Sequence, residues 1–187
     1  MARDLLTPTY PAPDVERATG ATLAMQRNWI ARDLYQTPTL PEPRAGHARM
    51  FPLLAVYESA IYAYVASRGI DIGVASTAFR KRLETEGLPR LAAKRMRADG
   101  APGFGFWQAE AAIEAVASER LWEFERSRTN PIYWIISLGG DAPIITDRAA
   151  LVAALAELDQ QPGVSLRLII NVSALVDEVD TKLGIDE

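Results

Sequence analysis

The 187-residue chain has no cysteine and a single histidine, His47. Disulfides, thiolate metal sites and cysteine redox chemistry are excluded together. A histidine-rich metal centre is excluded as well, because nothing of matching chemistry exists to join His47. Lysine is also scarce: of 20 basic residues only Lys81, Lys94 and Lys182 are not arginine. No apolar run approaches the roughly 18 residues that span a bilayer. The opening stretch MARDLLTPTYPAP lacks the apolar segment of a secretion signal. These absences lead us to expect a soluble, cytoplasmic protein with no membrane partner. The glycines of Asp99-Gly100-Ala101-Pro102-Gly103-Phe104-Gly105-Phe106 do not make a phosphate cradle, since no Gly-Lys-Ser/Thr follows them. Nor does any nucleophile–base pair stand out. The carboxylates Glu110, Glu114, Asp147, Asp177, Glu178 and Asp180 are scattered, and Asp177-Glu178-x-Asp180 reads as a solvated helix face rather than a metal site. An enzyme is therefore not expected, and no cofactor or metal.

What the chain does have is an ordinary globular balance, 49% hydrophobic and 24% charged residues. The net charge of −4 conceals a split. Residues 1–98 carry 14 Lys and Arg against 9 Asp and Glu, whereas residues 99–187 carry 6 against 15. Residues 80–97 form the densest positive stretch, seven basic against two acidic residues. A basic front half suits a polyanionic partner, although charges that merely keep both halves soluble produce the same split.

Residues 11–51 organise the front half. Met1 to Thr9 reads as a loose arm, because Pro8, Pro11 and Pro13 oppose a helix before Asp14. A short helix follows at 14–18, with Pro13 and the acids Asp14 and Glu16 suited to its first turn. Gly20 supplies a turn, and Thr22 caps a second helix predicted over 23–34. Gln26, Arg27 and Asn28 lie on that helix, and all three are residue types that read base edges in a major groove. They lie about 100° apart around the axis, so they do not all face one groove. Arg27 is the first choice for DNA contact, to a base or to a phosphate, with Gln26 or Asn28 second. Trp29 reads as a core anchor. Next comes a proline-stiffened hairpin with Pro38, Pro41 and Pro43, whose Arg44, His47 and Arg49 suit phosphates or a minor groove. An exposed loop is the plainer reading of that hairpin.

The order of these features resembles the start of the MerR-type winged helix-turn-helix superfamily. Thr19, Gly20, Arg27, Trp29 and Leu34 match the family's run, while Asn28 stands for its first aromatic and Asp33 for its glycine. Gly46-His47-Ala48-Arg49-Met50-Phe51 follows the order of its wing signature: glycine, arginine, aromatic. The stretches 53–65 and 67–72 resemble its third helix and the turn into a fourth, at 73–83. The resemblance covers about residues 10–83, under half the chain. It implies double-stranded DNA as partner, a homodimer on pseudo-palindromic sites, and transcriptional regulation. DNA contacts would come from Thr22, Gln26, Arg27, Asn28, Arg44, His47 and Arg49. It also admits an architectural or excision protein of mobile elements or phage. A different class stays open, in which the C-terminal part binds another protein and the N-terminal part is only a tether. A small-molecule effector is unspecified, and the back half lacks the family's usual long coiled-coil helix.

Residues 51–68 read as a helix with a wide apolar face of Leu54, Tyr57, Ile61, Tyr64 and Val65. The glycine–proline stretch 99–106 reads as a linker. Beyond it the texture predicts a helix over 107–126, strands at 133–138 and 143–146, and a helix over 148–158 capped by Asp147. A strand at 164–172 and a last helix capped by Ser173 complete it, with Leu175, Val176, Val179 and Leu183 on one face. Its edge strands and last helix are natural dimer surfaces. The expected fold is thus mainly α with small β. A winged helix-turn-helix domain spans 1–98, and an α+β dimerisation or regulatory domain spans 107–187.

Overall fold

A computed structural model describes residues 7–35, 49–76, 131–137, 144–160 and 167–185. The described residues are mainly helical with two small sheets. In order it forms β1 (Pro8–Pro11), α1 (Ala12–Thr19), α2 (Leu23–Ala31), β2 (Met50–Pro52) and α3 (Leu53–Ser67). After the helical residues 72–76 come β3 (Ile132–Ser137), β4 (Ile144–Asp147), α4 (Leu151–Asp159), β5 (Arg167–Asn171) and α5 (Val172–Leu183). The expected helix and linker within 80–126 lie outside the described residues.

Strand β1 corrects the expected loose arm at Pro8 and Thr9 only; residues 1–6 lie outside the described residues. It pairs antiparallel with β2, Tyr10 opposite Phe51 and Pro11 opposite Met50. Proline lacks a donor but is tolerated at a strand's edge or end, and the register slips between Pro8 and Tyr10. The pairing ties the residues that enter α3 to the strand that precedes α1. The second sheet has the order β4-β3-β5, both pairings antiparallel.

Helix α3 differs from the expected wide apolar face. Of its 15 residues, 12 are buried, from Leu53 round to Val65. A helix apolar on nearly every side has to be surrounded. Helices α1 and α5 and strands β1 and β2 all pack against it. One hydrophobic core therefore holds Val15, Trp29, Leu54 and Ile61 from the front half together with Trp134, Ile170, Val176 and Val179 from the back half. Within it, Trp29 meets Tyr62 edge-on at 5.7 Å and 87°, and Tyr35 lies 6.1 Å from Phe51. Such pairs add to plain burial because ring edges and faces carry opposite partial charge.

The last helix carries two corrections. Its cap is Asn171, whose side chain accepts from the Ala174 amide at 3.1 Å, and Ser173 is buried in the first turn. Asp180, expected on a solvated face, is buried, and its Oδ1 accepts the Tyr57 hydroxyl at 2.6 Å. The pattern Asp177-Glu178-x-Asp180 thus divides. Asp177 and Glu178 face outward, and Glu178 pairs with Lys182 at 2.6 Å. Much of the apolar face of α5 is taken up by α1 and α3, which leaves less of it for a partner.

Candidate nucleic-acid interface

The turn between α1 and α2 is set by backbone chemistry. Gly20 closes α1 at φ +76, its amide reaching the Glu16 carbonyl at 2.8 Å. This left-handed conformation is open to glycine without penalty. The Thr19 hydroxyl bridges the corner, donating to the Val15 carbonyl and accepting from the Ala21 amide. Two residues later Thr22 begins α2, its hydroxyl accepting from the Met25 amide at 3.2 Å. The turn and the cap stand where the sequence places them. Thr22 therefore acts first as a cap, and its exposed position leaves it beside the outer face of α2.

That outer face is sharply defined. Ala24, Arg27, Asn28, Ala31 and Arg32 are exposed, while Gln26 and Trp29 are buried. At 100° per residue the five exposed positions span an arc of about 140°, and Gln26 and Trp29 project to the opposite side. Arg27 and Asn28 sit on either side of the small residues Ala24 and Ala31. Among the described residues neither Arg27 nor Arg32 is in an ion pair. Arg17, on the neighbouring helix, is paired with Asp14 at 2.8 Å.

Gln26 does not belong to this surface, which corrects its candidacy as a base reader. It is 2% exposed, and its Nε2 donates to the Ala21 carbonyl at 2.7 Å and the Ala12 carbonyl at 3.1 Å. Two facing carbonyls fix which end of the amide is nitrogen. The side chain is thus a tie between α1, the turn and α2. A polar residue type alone could not reveal this. The signal available in the sequence was its spacing of three from Trp29, which puts both on one side of a helix.

Helix α2 ends earlier than expected, at Ala31. Asp33 takes φ +52, a region where non-glycine residues are uncommon. The chain then turns inward. The Leu34 carbonyl accepts the Tyr62 hydroxyl at 2.9 Å and the Ser76 hydroxyl at 3.0 Å. Tyr35 follows, sharing a 2.8 Å hydrogen bond with Ser59. Burial raises the Tyr35 phenol well above its ordinary value; the Ser59 bond lowers it, the nearby Glu58 charge raises it further and Arg49 lowers it. Arg49 is therefore within electrostatic reach of the buried Tyr35–Glu58 region. It is half-buried rather than a free tip residue. Arg44 and His47 lie outside the described residues.

Sequence spacing had not singled out Arg32. Its Nη2 lies beside Gly73, 3.8 Å from where a Cβ would stand, so it extends the α2 face toward the turn at Asp71. Among the described residues no group of three acids or histidines is placed to hold a metal, and no helix is long and apolar enough to cross a membrane. Comparison with family models, with curated proteins and with solved structures finds no match.

Proposed function

We propose that the chain binds double-stranded DNA through the outer face of α2, as a sequence-specific transcriptional regulator. One observation carries the proposal: Arg27 and Asn28 are exposed together on the side of α2 opposite its buried anchors Gln26 and Trp29. Arginine matches guanine O6 and N7 bidentately, and asparagine matches adenine N6 and N7. A firmly anchored helix with these two side chains projecting is what direct readout requires. Arg32 at its end suits a phosphate. The order helix, glycine turn, helix, strand at 50–52 also agrees with the winged helix-turn-helix resemblance.

The homodimer is part of the same proposal. The surface that supports it is α4, whose Val152 is 75% exposed and whose only buried residue is Leu158. A pair of reading helices would then meet half-sites set by the dimer's two-fold geometry. An architectural or excision role on mobile-element DNA would use the same α2 face. Mobility shift on random fragments of the source genome, at low and moderate salt, tests the DNA claim. Retarded bands that weaken as salt rises are expected, because phosphate contacts release counterions. Absence of any shift at low salt would sink it. Light scattering that gives a stable monomer at micromolar concentration would remove the dimer.

A further inference from the structure

We propose that Asp33, at the C-terminal tip of the α2 face, is a specificity-determining residue. Its carboxylate keeps phosphates away from that tip and so holds down sequence-independent DNA affinity. The inference rests on the DNA reading of α2. It starts from a residue that breaks two local preferences at once. Helix α2 closes with the Asp33 amide on the Ile30 carbonyl and the Leu34 amide on the Trp29 carbonyl, both at 3.0 Å. This paired closure requires a left-handed residue, and Asp33 takes that place at φ +52. Glycine adopts the conformation freely, whereas a residue with a Cβ is strained there. The second preference is electrostatic. The end of a helix is the negative pole of its dipole, which favours cations and disfavours a carboxylate.

Neither cost is offset by a contact. Asp33 is exposed, and among the described residues no hydrogen bond or ion pair reaches its carboxylate. Arg32, its neighbour in sequence, does not neutralise it, because the Arg32 Nη2 lies at the Asp71–Gly73 turn instead. A residue that breaks local rules with no structural return points to function. Ala31, Arg32 and Asp33 are exposed in succession before Leu34 turns inward. The carboxylate therefore stands at the end of the face that carries Arg27 and Asn28. There it repels phosphates over a range of about 10 Å at 0.1 M salt. The amino groups of cytosine and adenine are donors in the major groove, and they are not repelled. A complex seated by Arg27 and Asn28 can present such a donor to the tip. Complexes that ride on the backbone present phosphates. The carboxylate thus gains discrimination by penalising the wrong complexes.

The test is a set of anisotropy titrations of the full chain on two duplexes of equal length, one selected from genomic fragments and one scrambled. Each is run at about 50 and about 200 mM salt. Asp33→Asn and Asp33→Gly are compared with the parent. Glu157→Gln, at an exposed carboxylate on α4, controls for net charge alone. Both Asp33 variants should bind the scrambled duplex roughly twofold to fivefold tighter at the lower salt, with the gain shrinking at the higher. Affinity for the selected duplex should change less, so the ratio between the two falls. Glu157→Gln should keep the parent's ratio. Melting temperatures of the Asp33 variants should match or exceed the parent's. The proposal is overturned if the ratio is unchanged, if Glu157→Gln lowers it equally, or if replacing Asp33 lowers the melting temperature, which would make its role structural. A parent that binds neither duplex removes the DNA reading and this inference together. A parent that binds, with variants that keep its ratio, removes the inference alone.

Discussion

A glutamine that gives its amide hydrogens to two backbone carbonyls has none to offer a base. That is the situation of Gln26, bonded to the Ala12 and Ala21 carbonyls, with a buried Oε1 that has no partner among the described residues. Gln26→Glu keeps the shape but turns an acceptor toward two acceptors. We expect a loss of about 2–4 kcal/mol, measured by denaturant unfolding, because two buried carbonyls lose their donor. A change within experimental error would mean that the tie is not formed. Arg27 and Asn28, one and two residues on, project to solvent, so substituting them should leave the melting temperature unchanged. Residue type pointed to this stretch, since all three are base-reading side chains. It could not separate them, because burial is decided by which side of α2 faces α1, and Trp29 sets that side.

At the scale of elements, the local signals that survived are those written in one or two residues. Gly20 and Thr22 make a turn and a cap by their own backbone and hydroxyl chemistry, whatever packs around them. The cap of α5 shows the limit. Asn171 and Ser173 are both good capping residues two positions apart, and the choice was made by β5. That strand runs to Asn171, opposite Tyr133, and delivers the asparagine to the helix start. Asn171→Ala should therefore cost about 1 kcal/mol, the usual value of a lost cap. No loss in a thermal melt would contradict the assignment. Strand β1 was hidden for a similar reason. Its prolines argue against a helix and equally against a central strand, and only the partner β2 reveals an edge pairing.

At the scale of the molecule, halves of opposite charge share one core. The sequence suggests two bodies joined at 99–106, because composition and charge change there. It does not show that α5 returns to pack on α1 and α3, since long-range pairing leaves no local trace. The Tyr57–Asp180 bond, joining residues 123 apart, is the polar counterpart of that packing. Tyr57→Phe should destabilise the whole fold by about 1–3 kcal/mol, because the buried Asp180 Oδ1 loses this donor. A single unfolding transition is expected to be retained; two transitions in the parent would show that the halves fold separately. Tyr35 adds a pH dependence. Its pKa is raised in the fold, chiefly by burial, so the native state favours the neutral phenol. The contribution is complete below the unfolded value near 10 and is lost as pH climbs above it. Stability should fall as pH rises beyond about 10, and less steeply in Tyr35→Phe. Equal slopes in the two proteins would rule Tyr35 out as the cause.

On the proposed reading, an α2 face built from Arg27 and Asn28 reads DNA. Its most direct measurement is a fluorescence-anisotropy titration at fixed salt on a duplex selected from genomic fragments. Single-base variants of that duplex are compared for the parent, Arg27→Ala and Asn28→Ala. The expected result is a loss of about 1–3 kcal/mol for each substitution, with preference relaxed at one base pair and the fold intact. A loss spread equally over all sequences would make these residues phosphate contacts, and unchanged affinity in both variants would contradict the account.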